Sequence, residues 1–281
     1  MPKQQVWNAA NAQWLEKLAA QPLVRHIVEQ LEFLGQLNQF IIESALGIRK
    51  IHRRLPLLVQ AIDFVGIQSL TILTFSAIFI GAVMAFQTYV ALHYFGMESF
   101  LGASVGIALS RELAPVFAGI MVAGRAGAAI AAEIATMRVT EQLDAMDALG
   151  TDPHDYLMTP RILAGLISMP LLYGYFLLVG CLAGYFIGVT VLGADGGIYW
   201  DQLSWAVDFN DIFQGAIKAS IFGFFLTLMG CFYGYTAGNN AQAVGVATNK
   251  AVVISSLLIL FSDYVLTAFL PYDPSNLTYI R

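Results

Sequence analysis

The sequence predicts an all-α integral membrane protein, and three observations carry that expectation. Hydrophobic residues make up 58% of the 281 and charged residues only 12%, against about 25% charged in soluble domains. Five apolar runs, at about 57–90, 100–137, 160–192, 211–237 and 250–272, each reach the ~20 residues that cross ~30 Å of hydrocarbon. The third observation is the stretch from Arg111 to Pro153, which sets Arg111, Glu112, Arg125 and Glu133 along one apolar helix. Each intramembrane charge costs roughly 2.5–3.5 kcal/mol on insertion scales, so such residues stand there for a reason.

Residues 1–20 mix Trp7, Asn8, Gln13, Glu16 and Lys17 without a continuous apolar core, so no cleavable signal is expected there. Over 22–48, Leu23, Ile27, Leu31, Leu34 and Ile41 recur at helical spacing with Arg25, Glu29, Glu32 and Glu43 between them. That pattern is too polar to span and suits a helix lying in the interface, with a soluble helix packed on a neighbour as the alternative. Residues 1–55 are therefore expected to form a cytoplasmic or interfacial segment, and 56–281 the transmembrane domain.

Seven Lys and Arg precede Pro56, whereas the loops near 91–99 and 193–210 carry none. The positive-inside rule then places the N-terminus in the cytoplasm, and five crossings place the C-terminus outside. The loop 193–210, with Trp200 and Trp205, reads as a short re-entrant or surface helix. Cys181 and Cys231 lie in apolar runs and are expected to be buried small hydrophobes.

Within the second run, Gly119, Ala123, Gly127, Ala131 and Ala135 repeat every four residues and form a ridge without bulk. Tight packing inside one chain and a dimer or moving interface are both open readings of it. Arg111 and Glu112 are consecutive, so they point about 100° apart and do not simply pair with each other. Pro115 follows and removes a backbone donor, which predicts a kink or local opening. Either the two charges pair with neighbouring helices, or one lines a hydrated or headgroup-accessible cavity. Arg125 and Glu133 are expected to be structural. Met84, Ala91 and Phe95 share a face at the end of the first run, beside Leu92, with the spacing of an apolar pocket wall or of ordinary core packing.

The segment 139–150, VTEQLDAMDALG, has Thr140 as the expected N-cap and Gly150 as the stop. Leu143, Met146 and Leu149 make one face, and Glu141, Asp144 and Asp147 an acidic one. Such a helix floats at the interface or docks into a groove on a soluble partner. No phosphate-binding G-x-x-x-x-G-K-[ST] is present, so nucleotide-driven work needs another subunit. There is no HExxH, CxxC or GxSxG, the histidines are scattered, and the 276–278 sequon carries no weight.

The run RELAP…AGRAGAAIAAEIATMRVTEQLDAM, with Leu57–Leu92 and Ser255–Leu270, resembles the MlaE (YrbE) permeases of MCE-type phospholipid transport systems. The resemblance covers about Pro56 to Pro271. It implies a homodimeric ABC-transporter permease of the bacterial inner membrane, with no cofactor of its own and ATP and Mg held by a separate cytoplasmic ATPase. It further implies a periplasmic MCE-domain protein, often a small STAS-domain subunit, a phospholipid substrate and no nucleic acid. By resemblance, Glu112 and Leu113 would face a lipid cavity with Met84, Ala91, Leu92 and Phe95, and 139–150 would be the coupling helix entering the ATPase. The expected function is movement of phospholipids between inner and outer membranes, which maintains outer-membrane lipid asymmetry. A membrane scaffold without a translocation path, or an intramembrane lipid-modifying enzyme using Glu112 or His93, are the alternatives.

Overall fold

A computed structural model describes residues 22–269, and every element among them is helical. The readings of residues 1–20 and of the sequon, and the end of the last crossing beyond residue 269, lie outside the described residues. The chain divides into two compact units, Met1–Leu46 and Gly47–Arg281. The first contributes most of helix α1 (Pro22–Gly47), as the amphipathic spacing predicts. Gln39 donates to Glu43 one turn on at 2.8 Å, a pairing that supports an exposed helix face.

In the second unit five helices are long and apolar enough to cross a membrane: α2 (Leu55–His93), α3 (Glu98–Val139), α5 (His154–Val191), α7 (Phe209–Tyr235) and α8 (Ala241–Phe269). Two short helices join them, α4 (Gln142–Ala148) between α3 and α5 and α6 (Gly196–Ala206) between α5 and α7. This is the all-α, five-crossing membrane architecture expected from the apolar runs. The third span starts at His154 rather than near 160, and two further departures stand out. The last span starts at Ala241 rather than near 250, because Asn240 caps it, its Oδ1 accepting from the Ala243 N–H at 2.8 Å. A capped helix extends through Gln242, Thr248 and Asn249, residues that hydropathy alone assigns to a loop. Helix α2 is interrupted at Gly66 by a tight turn over Ile67–Ser69, where Ser69 Oγ donates back to the Val65 carbonyl at 2.6 Å.

The 193–210 loop forms a short helix, as expected. Asp195 caps α6 by accepting from the Ile198 N–H at 2.8 Å, Tyr199 is buried, and Trp200 and Trp205 stand partly exposed. Helix α7 is the inner member of the bundle: 67% of its most apolar window is buried, against 11% for α8 and 28% for α2. The outer two helices therefore leave apolar faces exposed. Cys181 and Cys231 are free and buried, as expected.

In hydrocarbon, helices gain nothing by hiding apolar surface from lipid, so close backbone approach holds them. The α5–α7 seam shows this. A Cβ on Gly223 would stand 2.2 Å from the Gly165 carbonyl oxygen, and one on Gly165 would stand 2.5 Å from that of Gly223. Gly165→Ala and Gly223→Ala should each destabilise the fold by about 1–3 kcal/mol through overpacking. Gly174→Ala, with nothing within 4 Å of its Cβ, should be neutral or stabilising by up to ~1 kcal/mol. Thermal unfolding of the purified protein checks the contrast, and equal melting temperatures for all three would contradict it.

Candidate functional site

The site begins with a backbone defect. Over Leu109–Leu113 helix α3 widens into a π-turn, and the Ala114 N–H reaches back to the Leu109 carbonyl, passing Ser110. Pro115 follows and has no N–H to give, so the Ser110 and Arg111 carbonyls turn to side chains. Tyr173 of α5 donates its hydroxyl to the Ser110 oxygen at 2.9 Å, and Lys218 of α7 donates Nζ to the Arg111 oxygen at 3.0 Å. The local opening expected at Pro115 is thus present, and two neighbouring helices fill it.

Lys218 is the hub. Its side chain is only 4% exposed, and Nζ lies 2.9 Å from Glu112 Oε2 and 2.7 Å from Thr267 Oγ1 of α8. Asp263 Oδ1, also on α8, stands 3.1 Å from the ammonium without hydrogen-bond alignment. Arg111 turns the other way and donates Nε to Asp211 Oδ1 at 2.8 Å. Asp211 is itself the third residue of α7 and accepts from the Asp208 N–H at 3.2 Å, closing a capping box. Two cations therefore meet three carboxylates, Lys218 being shared by Glu112 and Asp263, and α3, α7 and α8 are tied at one level. Glu112, 41% exposed, is the member that opens to the surface.

Of the other residues expected at a cavity, Leu92 and Leu113 pack together on the cluster of Leu101, Val105 and Leu109. Met84 is half-buried, whereas Ala91 and Phe95 are exposed. Within one chain Glu112 bonds toward α7 and α8, and Leu113, 100° further round, faces the α2 side. Lys218, Asp263 and Thr267 were not singled out from sequence. The signal was present: Lys218 stands alone nine residues into a long apolar helix, where a charge demands a partner.

Arg125 and Glu133 both find partners within the chain. Arg125 donates to the Phe64 carbonyl and to Gln68 Oε1 at 3.4 Å, and lies 4.9 Å over the Phe64 ring. Glu133 pairs with Arg161 of α5 at 2.7 Å. The ridge of Gly119, Ala123, Gly127, Ala131 and Ala135 is buried within the chain. Gly119 faces Ile259 and Phe222, and a Cβ on Gly230 would stand 3.0 Å from the Gly127 oxygen. Between the two readings of the ridge, packing against α7 and α8 is the one observed, which leaves none of it for a second copy.

Helix α4 starts differently from expectation. Thr140 does not cap it, because its hydroxyl donates back to the Thr136 carbonyl at 2.9 Å. The N-cap is Glu141, held left-handed at φ 59°, a conformation that costs a residue with a Cβ roughly 1–2 kcal/mol. The stop is as expected. Gly150 sits at φ 72°, with the Thr151 N–H on the Met146 carbonyl and the Gly150 N–H on that of Asp147, both 2.9 Å. Leu143 is buried and Met146 half-buried, but Leu149 is exposed beside Asp147; Asp144 lies 3.3 Å from Arg138.

Residues 58–269 match the family of permease MlaE. The chain belongs to the MlaE permease family. A probable ABC transporter permease of Rickettsia conorii is 40% identical over 243 residues, 86% of this chain and 94% of the relative. The intermembrane phospholipid transport system permease MlaE of Haemophilus influenzae is 36% identical over 249 residues, 88% of this chain and 95% of that protein. The chloroplastic protein trigalactosyldiacylglycerol 1 of Arabidopsis thaliana is 36% identical over 220 residues, 78% of this chain and 62% of that one. This MlaE-family chain is accordingly a multi-pass ABC transporter permease, and the family works with an ATPase and other transporter subunits.

Lys218→Met should destabilise the bundle by up to ~3–5 kcal/mol, because it leaves Glu112 and Asp263 without their cation. Adding Glu112→Gln and Asp263→Asn should recover part of that loss. Melting temperatures of the single and triple variants check this, and a single variant as stable as wild type would refute the hub.

Proposed function

We propose that this chain is the permease subunit, acting as a homodimer, of an ABC transporter that moves phospholipids between the inner and outer membranes. The observation that carries the reading is the partly exposed Glu112 carboxylate, held by a buried lysine beside helices with exposed apolar faces. That arrangement offers a polar point for a headgroup at the edge of surfaces that accept acyl chains. The similarity to a permease named for intermembrane phospholipid transport supports the substrate class.

In this reading the chain does no chemistry of its own. A separate cytoplasmic ATPase holds ATP and Mg, a periplasmic MCE-domain protein receives or delivers lipid, and a small STAS-domain subunit is a further partner. The N-terminus lies in the cytoplasm and the C-terminus in the periplasm. Met84, Ala91, Leu92, Phe95, Glu112 and Leu113 line the lipid path, which two copies complete. Residues Glu141, Leu143, Asp144, Met146, Asp147 and Leu149 belong to the coupling helix. Support for that role is geometric: α4 is anchored by Leu143 while Leu149 and Asp147 project outward. A left-handed residue, Glu141, separates it from α3. Because the ridge is an internal seam, each subunit moves as one packed body rather than sliding about Gly119–Ala135.

Glu112→Ala and Ala91→Trp should each lower phospholipid transfer several-fold in the reconstituted complex while the dimer still assembles. Wild-type transfer in both would remove the lipid-path assignment. Asp147→Lys should reduce co-purification of the ATPase, and unchanged co-purification would remove the coupling role of α4.

A further inference from the structure

At the other end of α3 from Glu112 lies a second polar constellation that the lipid path above does not use. A cavity of about 600 Å³ opens between the start of α2, the last part of α3 and the start of α5. That volume falls within the ~300–1,000 Å³ of small-molecule sites. Leu57, Phe64 and Leu157 supply apolar wall, and Asp63, Glu133 and Arg161 supply charge. From Glu112 to Glu133 is 21 residues, ~32 Å of helix and about one hydrocarbon thickness. The cavity thus stands apart from Glu112, near the end of α3 that leads into α4.

Its charges have bonding capacity left. Asp63 accepts one bond, from Gln68 Nε2 at 3.3 Å, and Glu133 accepts one, from Arg161 Nη2 at 2.7 Å. Arg161 Nη1 is buried with no partner among the described residues, and so is Nε of the adjacent Arg125. An inorganic anion would meet two carboxylates here, and a simple cation would meet the guanidinium. A group carrying both charges a few bonds apart satisfies all three. Val59 and Ile67, both more than 60% exposed on the same stretch of α2, continue the apolar wall toward lipid.

We propose that this cavity binds the headgroup of a phospholipid bearing a primary ammonium, phosphatidylethanolamine in chemical class. The phosphate meets Arg161, the ammonium meets Asp63 and Glu133, and the chains run over Val59 and Ile67. A primary ammonium donates three hydrogen bonds and so serves both carboxylates, whereas a trimethylated one donates none. The site therefore selects ethanolamine over choline, and it stands whether or not Glu112 handles the transported lipid.

The test uses the full chain in phosphatidylcholine nanodiscs, doped with phosphatidylethanolamine or phosphatidylcholine carrying a diazirine next to the glycerol. Cross-links are mapped by peptide mass spectrometry. The ethanolamine probe should label residues 57–68 and 156–161 several-fold more than the choline probe. Ala61→Trp, which fills the cavity, and Glu133→Gln, which removes one of the two negative charges facing the ammonium, should each lower that labelling. Glu112→Ala should leave it in place, so that failure of the transport reading and failure of this site are told apart. Equal labelling by the two probes, or wild-type labelling in both cavity variants, would overturn the proposal. Competition by chain-free glycerophosphoethanolamine as strong as by the lipid would overturn it too, by showing a soluble ligand.

Discussion

The structure depends on one ammonium group. Lys218 enters the bundle from α7 and meets a carbonyl that Pro115 has deprived of its helical donor, a carboxylate on α3, and a hydroxyl and carboxylate on α8. Without those partners a lysine some 14 Å inside a helix would be among the most costly residues to place in hydrocarbon. With them, it fixes the level at which α3, α7 and α8 meet. Arg111 extends the same logic to the first turn of α7, where Asp211 serves as both helix cap and counter-ion. The most exposed of these charged side chains, Glu112, is held in place from behind by a side chain that is itself buried.

Away from this layer, packing rests on small residues rather than on charge. The seam of α3 against α7 runs through Gly127, Ala131, Gly230 and Gly234, and α5 meets α7 at Gly165 and Gly223. Backbone-to-backbone approach of this kind leaves little freedom for one helix to slide along another. A bundle stitched at one end by ion pairs and along its length by glycine contacts transmits motion as a unit. Helix α3 carries the ionic layer near one end and α4 just beyond the other, which gives that unit a direct connection between the two.

Hydropathy and length made the five spans legible, because each needs only composition and ~20 apolar residues to be seen. Arg111, Glu112 and Pro115 announced themselves as a cluster of anomalies within five positions. Lys218 and Asp263 did not, being single charges in otherwise apolar runs, and only their partners on other helices explain them. The small-residue ridge was legible as a packing surface but not as to what it packs on, since an internal seam and a dimer seam have the same spacing. Thr140 misled because a threonine hydroxyl at a helix end bonds equally well back to the preceding turn, and here it does. No spacing rule points to a left-handed Glu141, which the geometry of the turn imposes.

Two charged layers about 32 Å apart along α3 mark this MlaE-family subunit. One is knotted around Lys218, and the other is the open cavity at Glu133 and Arg161. The first is the more consequential, because the shape of α3 follows from it. Proton exchange at the lysine ammonium groups, followed by nuclear magnetic resonance on isotope-labelled protein in nanodiscs, tests it most directly. The account predicts that the Lys218 ammonium protons exchange far more slowly than those of exposed Lys250, and that Glu112→Gln speeds them. Exchange at Lys218 as fast as at Lys250 would contradict a buried, fully partnered ammonium and the network built on it.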